Sequence, residues 1–187
     1  MTAPQLRTAG PDDAEQVARL HADSWRRHYR GAYTDAYLDG DVVSDRYAVW
    51  SARLAAPDNA KTVVAEDETG LVGFGHVAFD EDDQWGSLLD NLHVTRDRQR
   101  SGIGAALLTW IARAVTEQAT NPSMYLWVLE QNTAAQSFYA AFGGTYVEKV
   151  PVSPPGGVPS RLDGAPNKLR VTWSDASAPA RGRGPAA

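Results

Sequence analysis

An apolar, strand-like run at Leu88–Val94 leads into Gln99-Arg100-Ser101-Gly102-Ile103-Gly104 and then into an apolar stripe at helical spacing: Ala105, Leu108, Ile111, Ala112 and Val115. Strand, glycine turn and helix in that order constrain this chain more than any other feature. A second β-rich run, Met124–Leu129, follows the helix, so the unit predicts a crossover that lays two strands parallel. Glycine lets backbone amides approach a ligand with no Cβ in the way. Amides opening onto a helix N-terminus form an anion site, which the helix dipole reinforces. Pyrophosphate is the natural guest, with Arg96, Arg98 and Arg100 adding positive potential. A glycine that merely relieves crowding at a helix entry would look the same in sequence.

The rest of the chain predicts an α/β (α+β) fold with a mixed sheet of about seven strands flanked by helices. Gln5–Thr8 is a short first strand. Pro11-Asp12-Asp13-Ala14-Glu15 starts a helix, with Asp12 expected to cap it and Glu15 three residues later. Short helices are expected around Tyr33–Leu38 and over Val42–Leu54. Thr62–Glu66 and Leu71–Phe79 form a hairpin across Asp67-Glu68-Thr69-Gly70, and Asp80–Asp83 is an acidic turn. After Met124–Leu129 come a helix at Thr133–Ala141, ended by Gly143-Gly144, and strands at Thr145–Val150 and Lys168–Trp173. Three sequential strands imply an antiparallel half, and the crossover a parallel one. Residues 1–175 read as one domain. Residues 176–187, rich in small residues, Pro and Gly, read as a disordered tail.

Composition narrows the function classes. The 187 residues contain no cysteine, so disulfides, thiolate nucleophiles and Cys-based zinc sites are excluded. His21 and His28 lack an acidic partner at metal-site spacing, and no metal is expected. No apolar run reaches the length of a membrane span and no signal-peptide pattern is present, so a cytoplasmic protein without membrane contact is expected. The net charge of −5 disfavours nucleic acid and would attract cationic small substrates, although acidic runs are also ordinary solvated loops. A homodimer stays open.

Nucleotide-binding alternatives can be weighed on the loop itself. A P-loop needs Lys after the last glycine, and none follows Gly104. A dinucleotide fingerprint needs a small residue where Leu107 stands and a glycine directly after the strand, whereas seven residues, Thr95 to Ser101, intervene. Glu130, at the end of the next strand, is the one feature that fits that fold. Leu92-His93-Val94 followed by Gln99-x-x-Gly102-x-Gly104 resembles motif A of the GCN5-related N-acetyltransferases. Asn132-x-x-Ala135-x-x-Phe138-Tyr139-x-x-Phe142-Gly143 is similar to motif B of the same family, and the pair is far more specific than either half. The likeness runs over residues 5–173 and includes Ser24-Trp25 and Tyr29-Arg30-Gly31. Gly144 departs from the family, which usually has Phe there.

That resemblance implies acetyl-CoA as cosubstrate and direct attack by an amine of a small molecule or peptide, with no enzyme nucleophile. Strands Leu88–Val94 and Met124–Leu129 would splay, with the pantetheine arm between them bonding to the backbone around Leu92, His93 and Val94. Amides from Gln99 through Arg100, Ser101, Gly102, Ile103, Gly104 and Ala105 would hold the pyrophosphate, and an amide near Val94 would polarise the thioester carbonyl. Asn132 would cap its helix and touch the arm. Tyr139 would protonate the leaving thiolate, against the alternative of a packed core tyrosine. Asp90 is the leading base for the amine, on the face of Leu92 and Val94 unless a bulge rotates the strand and turns Asn91 inward. His76 and Glu130 are further bases, and the His93 side chain reads as a core histidine. Trp25 reads as core, while Tyr29 and Tyr33 would wall the acceptor pocket, closed by the Pro151–Pro166 loop. A non-catalytic acyl-CoA sensor is the competing function.

Overall fold

The computed structural model describes residues 4–181. In chain order the elements are β1 (Gln5–Thr8), α1 (Ala14–His28), α2 (Asp35–Asp39), α3 (Val42–Ala55), β2 (Ala60–Asp67), β3 (Gly70–Asp82) and β4 (Gly86–Val94). They continue with α4 (Ile103–Gln118), β5 (Met124–Leu129), α5 (Thr133–Ala141), β6 (Thr145–Pro151), β7 (Asn167–Trp173) and α6 (Ser177–Ala180). The seven strands form one mixed sheet in the order β1-β2-β3-β4-β5-β7-β6. Among the described residues β4–β5 is the one parallel pair; all the others are antiparallel. A doubly wound parallel sheet, which the dinucleotide alternative requires, is therefore not what this chain builds.

The two faces of the sheet are covered by different chemistry. On one, the apolar stripe of α4 buries Ile103, Leu107, Leu108, Ile111, Ala112 and Val115 over β2, β3 and β4. A fully buried Leu or Ile contributes roughly 1.5–3 kcal/mol, so this stripe anchors the helix whose N-terminus carries the glycine turn. Two glycines on β3 let it sit close. A Cβ on Gly75 would lie 2.4 Å from Ile111 Cδ1, and one on Gly73 3.1 Å from Leu107 Cδ1. On the other face, α1 and α3 bury Val17, Leu20, Trp50 and Leu54 against Val64 and Phe74.

Local details depart from the sequence expectations. Asp12 is exposed and caps nothing; its neighbour Asp13 is buried and accepts from Gly10 N at 2.8 Å. A bidentate pair from Arg7, 2.8 Å on each arm, holds the Asp13 carboxylate below its usual range. Strand β3 runs on to Asp82, three residues beyond the expected end. Asp80 is no loose turn residue, because its carboxylate accepts the amides of Thr120 and Asn121, both at 2.9 Å, and ties β3 to the approach of β5. Strand β7 inserts between β5 and β6. The expected tail stays ordered at its start: Ala176 is buried and α6 packs on α4. Residues 182–187 lie outside the described residues.

Candidate active site

The parallel ladder between β4 and β5 holds for two residue pairs, Ser87↔Met124 and Leu88↔Tyr125. Gly86, at φ +77°, makes the close start possible: a Cβ there would lie 2.1 Å from Ser123 O. Beyond Leu88 the strands part, and a cavity of about 1020 Å³ opens between Leu89–Val94 on one wall and Leu126–Leu129 on the other. The start of α4, the inner face of α5 and the aromatic end of α1 also line it, together with residues of α3 and of the β6–β7 region.

At one mouth stands the glycine turn. After a tight turn at Arg96–Arg98, Arg100 (φ +64°) and Gly102 (φ +90°) both take left-handed backbone, and Gly102 is the N-cap of α4. No side chain caps this helix, since Ser101 Oγ is turned back onto Arg98 O at 2.5 Å. The first amides of α4, at Ile103, Gly104 and Ala105, thus have no partner within the helix. The two glycines do different jobs. Gly102 is required by conformation, since a Cβ there would meet nothing within 4 Å. At Gly104 a Cβ would make ordinary contact with Phe138 at 3.7 Å and Val94 at 3.8 Å, both cavity residues. Arg98 is tied to Asp67 at 2.9 Å, which leaves Arg100 as the cation of this mouth without such a pair.

Tyr139 lies on the buried face of α5 with its ring against Phe138 and Trp173, and it lines the cavity. Burial pushes its phenol pKa up, so the proton stays on the oxygen. Asn132 caps α5 by accepting from Ala135 N at 3.2 Å and also lines the cavity. Each of these two residues has a structural contact and also lines the cavity.

Asp90 departs from its expected face. The β3–β4 register shifts between His76↔Asn91 and Val77↔Leu89, which makes Asp90 the extra residue of a bulge. Leu92 and Val94 pack toward the α4 core, whereas His93 turns to the α1 side against Phe74 and His21. Asn91 is buried opposite His76, and the Asp90 carboxylate reaches Arg53 of α3. Asp90 Oδ2 accepts from Arg53 Nη1 and Asn91 Nδ2, each at 2.7 Å; neither bond uses Oδ1. Asp90 nevertheless lines the cavity. Of the further bases, Glu130 is an exposed group paired with Lys149 at 3.0 Å, and His76 is buried against Thr62 Oγ1 at 2.8 Å. Neither lines the cavity.

Trp25, Tyr29 and Tyr33 meet ring to ring, with centroids 4.7–5.2 Å apart, and all three line the cavity. The loop between β6 and β7 docks beside them through Thr34 N to Arg161 O and Asp163 N to Ala32 O, each 2.9 Å. Sequence reasoning missed Arg46, Arg53 and Lys168 in the lining. The signal for the two arginines was present: seven residues apart on one helix, they share a face with Trp50.

A model of the acetyltransferase (GNAT) family matches residues 14–143. The chain belongs to that family. The uncharacterized N-acetyltransferase YuaI of Bacillus subtilis is 32% identical over 142 residues, spanning 73% of this chain and 78% of the relative. Among solved structures, the PaiA N-acetyltransferase of Thermoplasma acidophilum in complex with coenzyme A aligns with TM-score 0.70 at 17% identity. The alignment covers 92% of this chain and all of that one (100%). The yncA protein of Salmonella typhimurium with its cofactor acetyl-CoA aligns with TM-score 0.65 at 17% identity, over 92% and 94% of the two chains. The GNAT sheet, seven mixed strands flanked by helices, is the one described above. Among the described residues no helix is long and apolar enough to cross a membrane, and no cluster of three His, Asp or Glu is arranged to hold a metal.

Within this GNAT fold three histidines sit uncharged beside the cavity. His21 accepts from Trp50 Nε1 at its Nδ1 (2.9 Å), so its proton is on Nε2, which has no hydrogen-bond partner among the described residues. Burial drives its pKa well below the usual value. His93, bonded to Ser24 Oγ at 2.8 Å, falls to about 3, and His76 to about 4, both chiefly by burial. Unfolding returns all three to an ordinary pKa near 6.5. The unfolded chain therefore binds protons that the folded one refuses, and stability falls as pH drops below about 6.5. Each histidine withdraws up to roughly 1.4 kcal/mol per pH unit in that window. Chemical unfolding at pH 7.5, 6 and 5 is expected to show this loss before the carboxylates titrate; a flat profile over that range would contradict neutral burial.

Proposed function

We propose that this GNAT chain transfers the acetyl group of acetyl-CoA directly to a primary amine of a small molecule or peptide. The observation that carries the proposal is the parting of β4 and β5 after two residue pairs, with the uncapped N-terminus of α4 and Tyr139 lining the same cavity. The diverging strands turn unpaired backbone N–H and C=O groups toward each other, which suits an amide-bearing pantetheine arm between Leu92, His93, Val94 and the facing β5 edge. The amides of the Gln99–Ala105 turn, the positive end of α4 and Arg100 fit a pyrophosphate. Acetyl-CoA supplies the activated acyl group.

The residues then divide the work. Tyr139, held protonated by burial, would donate to the departing thiolate. Asp90, whose Oδ2 accepts from Arg53 and Asn91, would take the ammonium proton or hold the water that takes it. An amide near Val94 would polarise the carbonyl that is attacked. Tyr29 and Tyr33 would wall the amine. The Asp90–Arg53 ion pair also favours a second reading, an acyl-CoA-binding sensor without turnover, because that carboxylate is already engaged by Arg53 and Asn91. Thiol release from acetyl-CoA across an amine panel separates the two.

Gly104→Val should leave the fold intact and raise the Kd for acetyl-CoA by about tenfold or more, because its methyls would project between Phe138 and Val94. Unchanged affinity in a folded variant would remove the loop from the site. Tyr139→Phe should lower kcat by roughly 10²- to 10⁴-fold with near-normal acetyl-CoA binding; an unchanged kcat would make the tyrosine purely structural. Asp90→Asn should lower kcat by a similar factor without altering the Kd for acetyl-CoA. If kcat holds, the proton leaves by another route.

A further inference from the structure

Resting on the acetyltransferase reading, we propose that the acceptor is an aminocarboxylate, its carboxylate held by Arg46 and its amine presented toward Asp90. The whole chain carries −5, yet the acceptor end of the cavity is lined by Arg46, Arg53 and Lys168 against one carboxylate, Asp90. Arg53 is neutralised by Asp90 at 2.7 Å. Lys168 has no ion pair among the described residues; its ammonium lies 4.5 Å from the centre of the Trp127 ring.

Arg46 is also short of negative charge. Its one acidic partner, Asp45, binds Arg46 Nη2 at 2.8 Å, but shares its carboxylate with Arg161 at 3.4 Å and accepts the Tyr37 hydroxyl at 2.6 Å. Two guanidiniums against one carboxylate leave this cluster one positive charge in excess. Arg46 is also held still. Its guanidinium stacks on Trp25 at 4.3 Å, its side chain is 12% exposed, and its Nε is buried with no hydrogen-bond partner. Arg46 also lines the cavity, and a carboxylate is the group that best matches a fixed, stacked guanidinium there.

The aromatic wall connects the two ends. Tyr29, Tyr33, Arg46 and Asp90 line the same cavity, so a molecule lying against those rings has both a cation and an anion on the walls around it. Arg46 and Arg53 are two helical turns apart on α3, a rise of roughly 10 Å. Both α- and ω-amino acids are therefore to be compared. A simple polyamine would place a second cation against Arg46 and be repelled. A peptide N-terminus lacks the nearby carboxylate.

The test uses the full chain and acetyl-CoA, with thiol release measured for free α- and ω-amino acids beside their own carboxamides and decarboxylated amines. The free acids are expected to be acetylated with kcat/KM about tenfold to a hundredfold above the matched amides. Arg46→Gln should erase that preference by raising KM for the acids, and Arg46→Lys should keep part of it. The wild-type comparison stands even if a variant fails to fold. Amides or decarboxylated amines turned over as well as the acids would overturn the proposal. So would acetylation confined to polyamines or peptides, or failure of every acid to react or to shift the thermal unfolding of the acetyl-CoA-bound protein. In each of those cases the acetyltransferase reading stands as long as some amine of the panel releases thiol from acetyl-CoA, with cofactor binding measured separately by the same thermal shift. Absence of acetyl-CoA binding would remove both.

Discussion

Strands β4 and β5 lie side by side in the middle of a sheet and yet share only two residue pairs, Ser87↔Met124 and Leu88↔Tyr125. Each remains paired on its outer edge, β4 to β3 and β5 to β7, so the sheet survives the parting. What the parting leaves is a slot with backbone donors and acceptors along both rims, groups that are costly to leave without partners. Gly86 pins the closed end, and the bulge at Asp90 turns β4 where the slot widens. The helices are placed around this slot: α4 lines it with its N-terminus, α5 with Tyr139 and α1 with its aromatic rings.

Electrostatics within the slot is ordered by burial. His21, His76 and His93 are neutral because each is desolvated and bonded to a neutral donor or acceptor: Trp50, Thr62 and Ser24 respectively. Formal charge in the cavity rests instead on arginine, lysine and one aspartate. Arginine keeps its charge when half-buried, and Arg46 and Arg53 are supported by stacking on Trp25 and Trp50. The chain's acidity lies outside. Asp67 holds Arg98 and the Thr69 amide, and Asp80 holds the Thr120 and Asn121 amides, so these carboxylates brace turns.

Much of the fold was legible because it rests on periodicity. The α4 stripe, the hairpin at Asp67–Gly70 and the strands at Met124 and Lys168 follow from patterns that a local rule reads correctly. The glycine turn was legible because left-handed backbone at Gly102 and an uncapped helix need few residue types. Asp90 was not legible. Alternation along a strand places it with Leu92 and Val94, and only the β3–β4 register reveals the extra residue that moves it toward Arg53. Asp12 misled for a related reason. Two adjacent aspartates compete for one cap, and the distant Arg7 and the Gly10 amide select Asp13.

By itself, the sequence determined which segments are helix or strand, that a glycine turn joins β4 to α4, and that Asn132 and Tyr139 ride on a helix just after β5. Those properties depend on neighbours a few residues away, and local sterics and amphipathic spacing decide them. Tertiary structure alone decided that β7 enters between β5 and β6, that β4 and β5 part after two pairs, that Asp90 pairs with Arg53, and that Arg46 stacks on Trp25 with an unused donor. Each of these joins residues far apart in the chain. Their geometry follows from how whole layers pack, from register shifts and from competition for a limited number of carboxylates, none of which a local pattern encodes.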